Sequence, residues 1–285
     1  MRKIRVSIWI SAWLTLVPMT ASFAAPCYWN SGTMLFSGDA VGQALCLTPT
    51  VGANGGVGGI DEGLPSTLDE LVGREFDFSR DAIEAYVAAH GLRENEVGGA
   101  LGLRVSRARG EPAVYFVVHD SNGPDFGSRR FSPDINVSAR INDLHQFGRR
   151  WHVLIGRNGE SATLIDFFSP LRSTYFETRG SAAQKKGRFL HVGLLQPIRT
   201  YVKDTVKKQN ALIPQPAYTN DQYRRLAQVY VIASFRAERW LIPAFAAQLN
   251  KCAQAPVFLG GPKGFDLAKW AKALRSVYRE IYSSK

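Results

Sequence analysis

The chain has 285 residues and a formal net charge of +11, with 35 Lys and Arg against 24 Asp and Glu. Its length suffices for one large domain or two small ones with a sizeable core. Three cysteines without histidines at matching spacing exclude a zinc site, and no stretch beyond the N-terminus is apolar for long enough to span a bilayer.

The opening residues, MRKIRVSIWISAWLTLVPMTASFAA, place Arg2, Lys3 and Arg5 before an apolar middle and a small-residue end. This is the layout of a secretory signal peptide, cleaved near Ala24 or Ala25. The protein is therefore expected to be secreted, or periplasmic before release, with residues 1–25 removed. In that compartment Cys27 and Cys46 are the natural disulfide, leaving Cys252 unpaired or joined to another chain. Residues 26–72 are rich in Gly, Ser and Pro, and TVGANGGVGGIDEGLP within them reads as a flexible arm.

A single domain is expected over 73–285. Phe76 and Phe78 alternate as in a short strand, and Ser79 is placed to cap a helix that presents Ile83, Tyr86 and Val87 and stops at Gly91. Strand-type runs follow at 113–120, 135–141, 149–156 and 161–168, with turn residues between several of them. His119 and Asp120, followed by Asp125, read as the polar end of a strand. Beyond about residue 180 the spacing turns helical, at 194–208, 220–250 and 265–284. Strands first and helices later predict an α+β fold, a β-rich N-terminal half followed by a helical half.

The segment from Asp221 is apolar on nearly all sides between Leu226 and Phe235, which marks a central buried helix that Pro243 should bend or end. Its far end, VIASFRAERWLIPAF, carries Arg236, Glu238 and Arg239. Buried ions without partners cost several kcal/mol each, so these three either surface where the helix does or line the floor of a cleft. Charge is also unevenly spread. Residues 184–285 hold 18 Lys and Arg against 5 Asp and Glu, a basic half that suits a polyanionic partner such as nucleic acid.

Taken together, REFDFSRDAIEAYVAAHGL, INVSARINDLHQFG, WHVLIGRNGESATLIDFF, QVYVIASFRAERWLI and FDLAKWAKALRSVY resemble, in order and spacing, the ribosome-inactivating proteins of the ricin A-chain and Shiga toxin A-subunit family. The resemblance covers roughly residues 74–285 and implies that family's fold. It also implies its activity, an rRNA N-glycosidase that removes one adenine from large-subunit ribosomal RNA and so stops translation, without a cofactor or a metal. The implied partner is the ribosome, with a separate binding subunit as a further one. Tyr175 matches the family's second base-stacking Tyr, Arg239 before Trp240 its Arg-aromatic pair, and Trp270 the Trp beneath the site. The first stacking Tyr falls on His145 in one alignment, and on Trp151 or His152 in another.

The departure is the catalytic acid. The family pattern wants Glu three positions before the Arg, and Arg236 stands there. The nearby acid is Glu238, beside Arg239 and rotated by about 200° on a regular helix. Either a bend or π-bulge brings Glu238 into the cleft, or another acid such as Glu177 serves, or the site is impaired. Three readings follow: an N-glycosidase with Glu238 and Arg239 as catalytic pair and Arg236, Tyr175, His145 and Trp270 holding substrate; an RNA- or partner-binding protein on the same fold, with Glu238 facing away from Tyr175; and, more distantly, a mono-ADP-ribosyltransferase toxin using the Glu94-Asn95-Glu96 acid pair.

Overall fold

A computed structural model describes residues 27–59, 61–179, 185–200, 212–255 and 261–283. The expected signal peptide lies outside them. In chain order the first elements are small. A two-strand hairpin, β1 (Trp29–Asn30) and β2 (Leu35–Phe36), precedes helix α1 (Ala40–Leu47), which Asp39 caps through Gly42 N–H. Helices α2 (Ser66–Leu71) and α3 (Arg80–Ala89) follow, and Ser79 caps α3 as expected, its hydroxyl 3.2 Å from Ala82 N. A second hairpin, β3 (Arg107–Ala108) with β4 (Glu111–Pro112), leads into the main sheet.

That sheet has five strands: β5 (Tyr115–Asp120), β6 (Val153–Ile155), β7 (Ser161–Thr163), β8 (Phe189–Leu194) and β9 (Ile242–Phe245), in the order β7-β6-β8-β5-β9. Strands β6, β8, β5 and β9 are parallel, and β7 returns antiparallel at one edge. Every residue of β5 and β8 is buried, so these strands are buried on both faces rather than alternating, with His119, Asp120 and His191 as their polar members. Between them lies a helical turn, α4 (Tyr175–Thr178); after β8 come α5 (Asn220–Ala237), α6 (Ala246–Cys252) and α7 (Leu267–Ser283).

Alternation along the strands assigns the two faces. Phe116 packs against Tyr230 of α5 and Trp270 of α7, so those two helices cover one face. Tyr115 and Phe189 point the other way, onto Trp29 and Phe36 of the first hairpin and, for Phe189, Phe176 of α4. The Tyr115 hydroxyl accepts from Phe36 N–H at 2.7 Å and donates to Gln43 Oε1 at 2.7 Å. The stretch read as an arm thus supplies core residues, including Phe36, Leu47, Val51 and Leu68. The Cys27–Cys46 disulfide fastens it, with a Cα separation of 6.0 Å, while Cys252 is a half-buried free thiol.

The mixture of helices and strands is as the sequence predicts, but four elements differ. The short strand expected at Phe76 and Phe78 does not form, and only Glu75 before it makes an isolated bridge, to Arg239. Residues 135–141 form turns rather than a strand. The polar side chains there compete for the backbone: the Asn142 amide donates to Asn136 O and Ser138 O while its Oδ1 accepts from Arg157 N–H at 2.6 Å. The helix expected over 194–208 is absent through Thr200, because Leu194 closes β8 and Pro197 follows in extended, bridge-forming backbone; residues 201–208 lie outside the described residues. The helix expected over 220–250 ends at Ala237, and Ile242–Phe245 becomes strand β9. Pro243 is tolerated there because β9 is an edge strand.

Candidate ligand-binding cleft

The corner where α5 ends accounts for all three charges of the helix. Arg236 is buried beneath the 98–104 loop. Its guanidinium donates to Gly98 O (2.5 Å), Leu103 O (2.7 Å), Arg104 O (3.2 Å) and Asp166 Oδ1 (2.8 Å). Gly99 lets Asp166 come this close: with φ +105° and a Cβ that would fall 1.5 Å from Asp166 Oδ2, no other residue fits. Glu238 is the helix C-cap in the left-handed region (φ 57°, ψ 20°), which turns its side chain outward to an exposed ion pair with Arg104. Arg239 is exposed, and its backbone pairs with that of Glu75. The helix therefore neither bends nor bulges to carry Glu238 inward; it stops.

Tyr175 borders a different feature, a cleft of about 650 Å3 on the hairpin-covered side of the sheet. Its floor is the C-terminal end of β5, His119 and Asp120 with Ser121 and Asn122, the position where parallel sheets commonly bind ligands. Trp151 forms one wall, lying over Gly193, where an added Cβ would sit 2.7 Å from the indole ring. Tyr175 stands at the opposite end, anchored by its N–H to Asn250 Oδ1 at 2.8 Å, with the Arg179 guanidinium 4.6 Å over its ring. Arg149, Arg150 and Arg172, all exposed, make the rim, and among the described residues no carboxylate pairs with any of them.

Beneath the floor runs a buried polar chain. His119 Nε2 is 3.0 Å from His191 Nδ1, and His191 Nε2 is 3.2 Å from Glu177 Oε1. The other oxygen, Glu177 Oε2, accepts from Ser173 N–H (3.1 Å), Thr174 N–H (3.0 Å) and the Thr174 hydroxyl (2.8 Å), the capping box that starts α4. His152 stacks parallel to His191 with ring centroids 5.7 Å apart; its Nδ1 accepts from His191 N–H at 2.9 Å, and its Nε2 faces Ser169 O at 3.0 Å. Burial, then the neighbouring histidines, holds His119 well below the ordinary histidine value, and burial holds His152 down to about 3, so both rings are neutral. Asp120 points to the other face of the sheet. Neither of its oxygens finds a hydrogen-bond donor, the Lys263 ammonium stands 3.6 Å away, and burial raises its carboxyl to about 6.

Of the residues given a catalytic or substrate-holding role from sequence, Tyr175 alone lines this cleft. Trp151 and Glu177, raised as alternatives, lie in its wall and beneath its floor. Glu238, Arg239 and Arg236 belong to the α5 corner instead. His145 sits exposed on a short 3-10 turn (Leu144–Phe147) and is not among the lining residues. Trp270 is fully buried between Phe116 and Tyr230, on the opposite face of the sheet from Tyr175. The cleft's other residues carry faint signals: the His119-Asp120 pair read only as the polar end of a strand, and the arginines are scattered over two loops. Among the described residues no three His, Cys, Asp or Glu side chains are grouped to hold a metal ion. No protein-family model matches the chain, and no curated protein or solved structure matches it either.

Proposed function

We propose that this is an exported protein that binds a single-stranded polyanion, RNA by preference, in the Tyr175 cleft, without depurinating it. One observation carries the reading: three guanidinium groups, which among the described residues have no carboxylate partner, rim a cleft bordered by the half-buried ring of Tyr175. Guanidinium groups recognise phosphates through their planar fork of donors, and aromatic faces take unstacked bases. The strongly basic second half of the chain adds long-range attraction for the same ligand. Export is supported by the leader-like N-terminus and the Cys27–Cys46 disulfide. Binding is favoured over N-glycosidase chemistry because Glu238 turns to Arg104 and neither it nor Arg239 reaches the cleft.

The test is fluorescence anisotropy with a labelled 12-nucleotide single-stranded RNA. Arg149→Ala/Arg150→Ala/Arg172→Ala is expected to weaken binding at least 10-fold and to reduce the slope of log affinity against log salt by about 2. Wild-type affinity in that triple variant, or no binding by the wild-type protein, would overturn the reading. Ribosomes treated with the protein should keep large-subunit RNA intact on aniline treatment; a discrete fragment would reinstate the glycosidase.

A further inference from the structure

We infer that His119 is a dedicated hydrogen-bond acceptor in the cleft, its lone pair aimed at a ligand hydroxyl by Glu177 acting through His191; this rests on the cleft being the ligand site. The inference follows from counting donors along the buried chain. Glu177 Oε2 already receives three donors from Ser173 and Thr174, so the carboxylate can only accept from the ring beside it. His191 must therefore carry its proton on Nε2, which leaves Nδ1 as an acceptor. His119 must then place its proton on Nε2 to bridge the 3.0 Å gap to His191 Nδ1. What remains is His119 Nδ1, a lone pair with no partner among the described residues, on a ring that lines the cleft.

Asp120, the other ionisable group of the floor, turns its carboxylate to the far face of the sheet, toward Lys263, and leaves the assignment of His119 unchanged. His152 is set independently by backbone, its Nδ1 receiving His191 N–H and its Nε2 donating to Ser169 O. The groups around the mouth, Arg149, Arg150 and Arg172, are all donors, as are the side chains of Trp151 and Lys263. His119 Nδ1 is thus an acceptor facing a cleft whose rim donates. An anionic ligand satisfies the rim with its acceptors and needs a hydroxyl or similar donor to satisfy the floor. A sugar phosphate polymer with a free 2′-hydroxyl has both, and the 2′-hydroxyl is the group that separates RNA from DNA. His119 is accordingly the contact and specificity residue, while His191 and Glu177 are positioning residues.

The experiment has two arms. In protein labelled with 15N-histidine, long-range proton–nitrogen correlation spectra at neutral pH should show His119, His152 and His191 each protonated on Nε2. Glu177→Gln should invert two of them. The three donors from Ser173 and Thr174 hold the amide oxygen in place of Oε2, so the amide NH2 faces His191, which then protonates Nδ1 and drives His119 to do the same. His152 should not change, since backbone sets it. A proton on Nδ1 of wild-type His119 would sink the proposal, and that measurement stands alone if the variant fails to fold. The second arm compares 12-nucleotide ribo- and deoxyribo-oligomers of one sequence. The wild-type protein should favour RNA by about 5-fold, the worth of one hydrogen bond, and Glu177→Gln should bind both alike. Equal binding of both by the wild-type protein would overturn the assignment. Binding of neither would overturn the cleft reading, while the spectra still decide the orientation of His119.

Discussion

Two parts of the molecule hold clustered charge, and they use it in opposite ways. At the end of α5 two of the three charged groups are absorbed by the protein itself, Arg236 by three carbonyls and Asp166, Glu238 by Arg104 and its own cap turn, while Arg239 is exposed. At the mouth of the Tyr175 cleft Arg149, Arg150 and Arg172 remain exposed, without carboxylate partners among the described residues. The first arrangement shapes the fold and has little left to offer a ligand. The second contributes nothing evident to folding and is free to bind. Charges clustered in sequence are thus a poor guide to function until their partners are known.

Breaking the first arrangement should cost most. Arg236→Ala leaves a buried set of carbonyls and the Asp166 carboxylate without their donor, and unfolding by urea should show a loss of about 3–5 kcal/mol. A loss below about 1 kcal/mol would mean that the guanidinium is no brace and would blur the contrast with the cleft.

Asp120 gives a smaller effect with a definite pH signature. Its folded value is raised to about 6 from an ordinary 3.8, so the folded state binds the proton more tightly than the unfolded chain. The stability this group contributes is fully present below about pH 3.8 and is lost as pH rises through 6. Asp120→Asn removes the buried charge. Its melting temperature should exceed that of the wild-type protein most at pH 7.5, and the gap should narrow steadily toward pH 4.5. A gap that widens on acidification would show that the Lys263 pair, not burial, dominates.

The smallest effect tests the cap. Glu238 holds a left-handed backbone that glycine adopts without penalty, and its ion pair with Arg104 is exposed, 65% and 60% for the two side chains. Glu238→Gly should therefore stabilise the protein by about 0.5–1 kcal/mol while leaving RNA affinity within about 2-fold. A fall in affinity would return Glu238 to the functional surface and dissolve the distinction drawn between the two regions.

What the sequence revealed follows how local each cause is. The cap of α3 was legible because Ser79 and the first helical turn are adjacent, and α7 because its apolar stripe repeats every turn. The disulfide was legible from two cysteines in an expected export context. The end of α5 was not, since a helix and an edge strand of the same apolar residues look alike without the partner strand that decides between them. The cleft was half legible. Tyr175 came from a family resemblance, and Glu177 appeared only as a spare acid. Their link to His119 crosses from 177 to 191 to 119, and no spacing rule spans that.

The first hairpin carries one further consequence. Trp29 and Phe36 roof over Phe176 and Phe189, and α1 packs on β9, so the earliest residues find their partners roughly 140 to 200 positions later. A chain emerging N-terminus first has nothing to lay this roof upon until almost all of it has been delivered. Assembly of the hydrophobic interior is then a terminal event, slowed by the long loops that must close, and until then the early segment has its own hairpin and the bond between its sulfurs as nearby tethers.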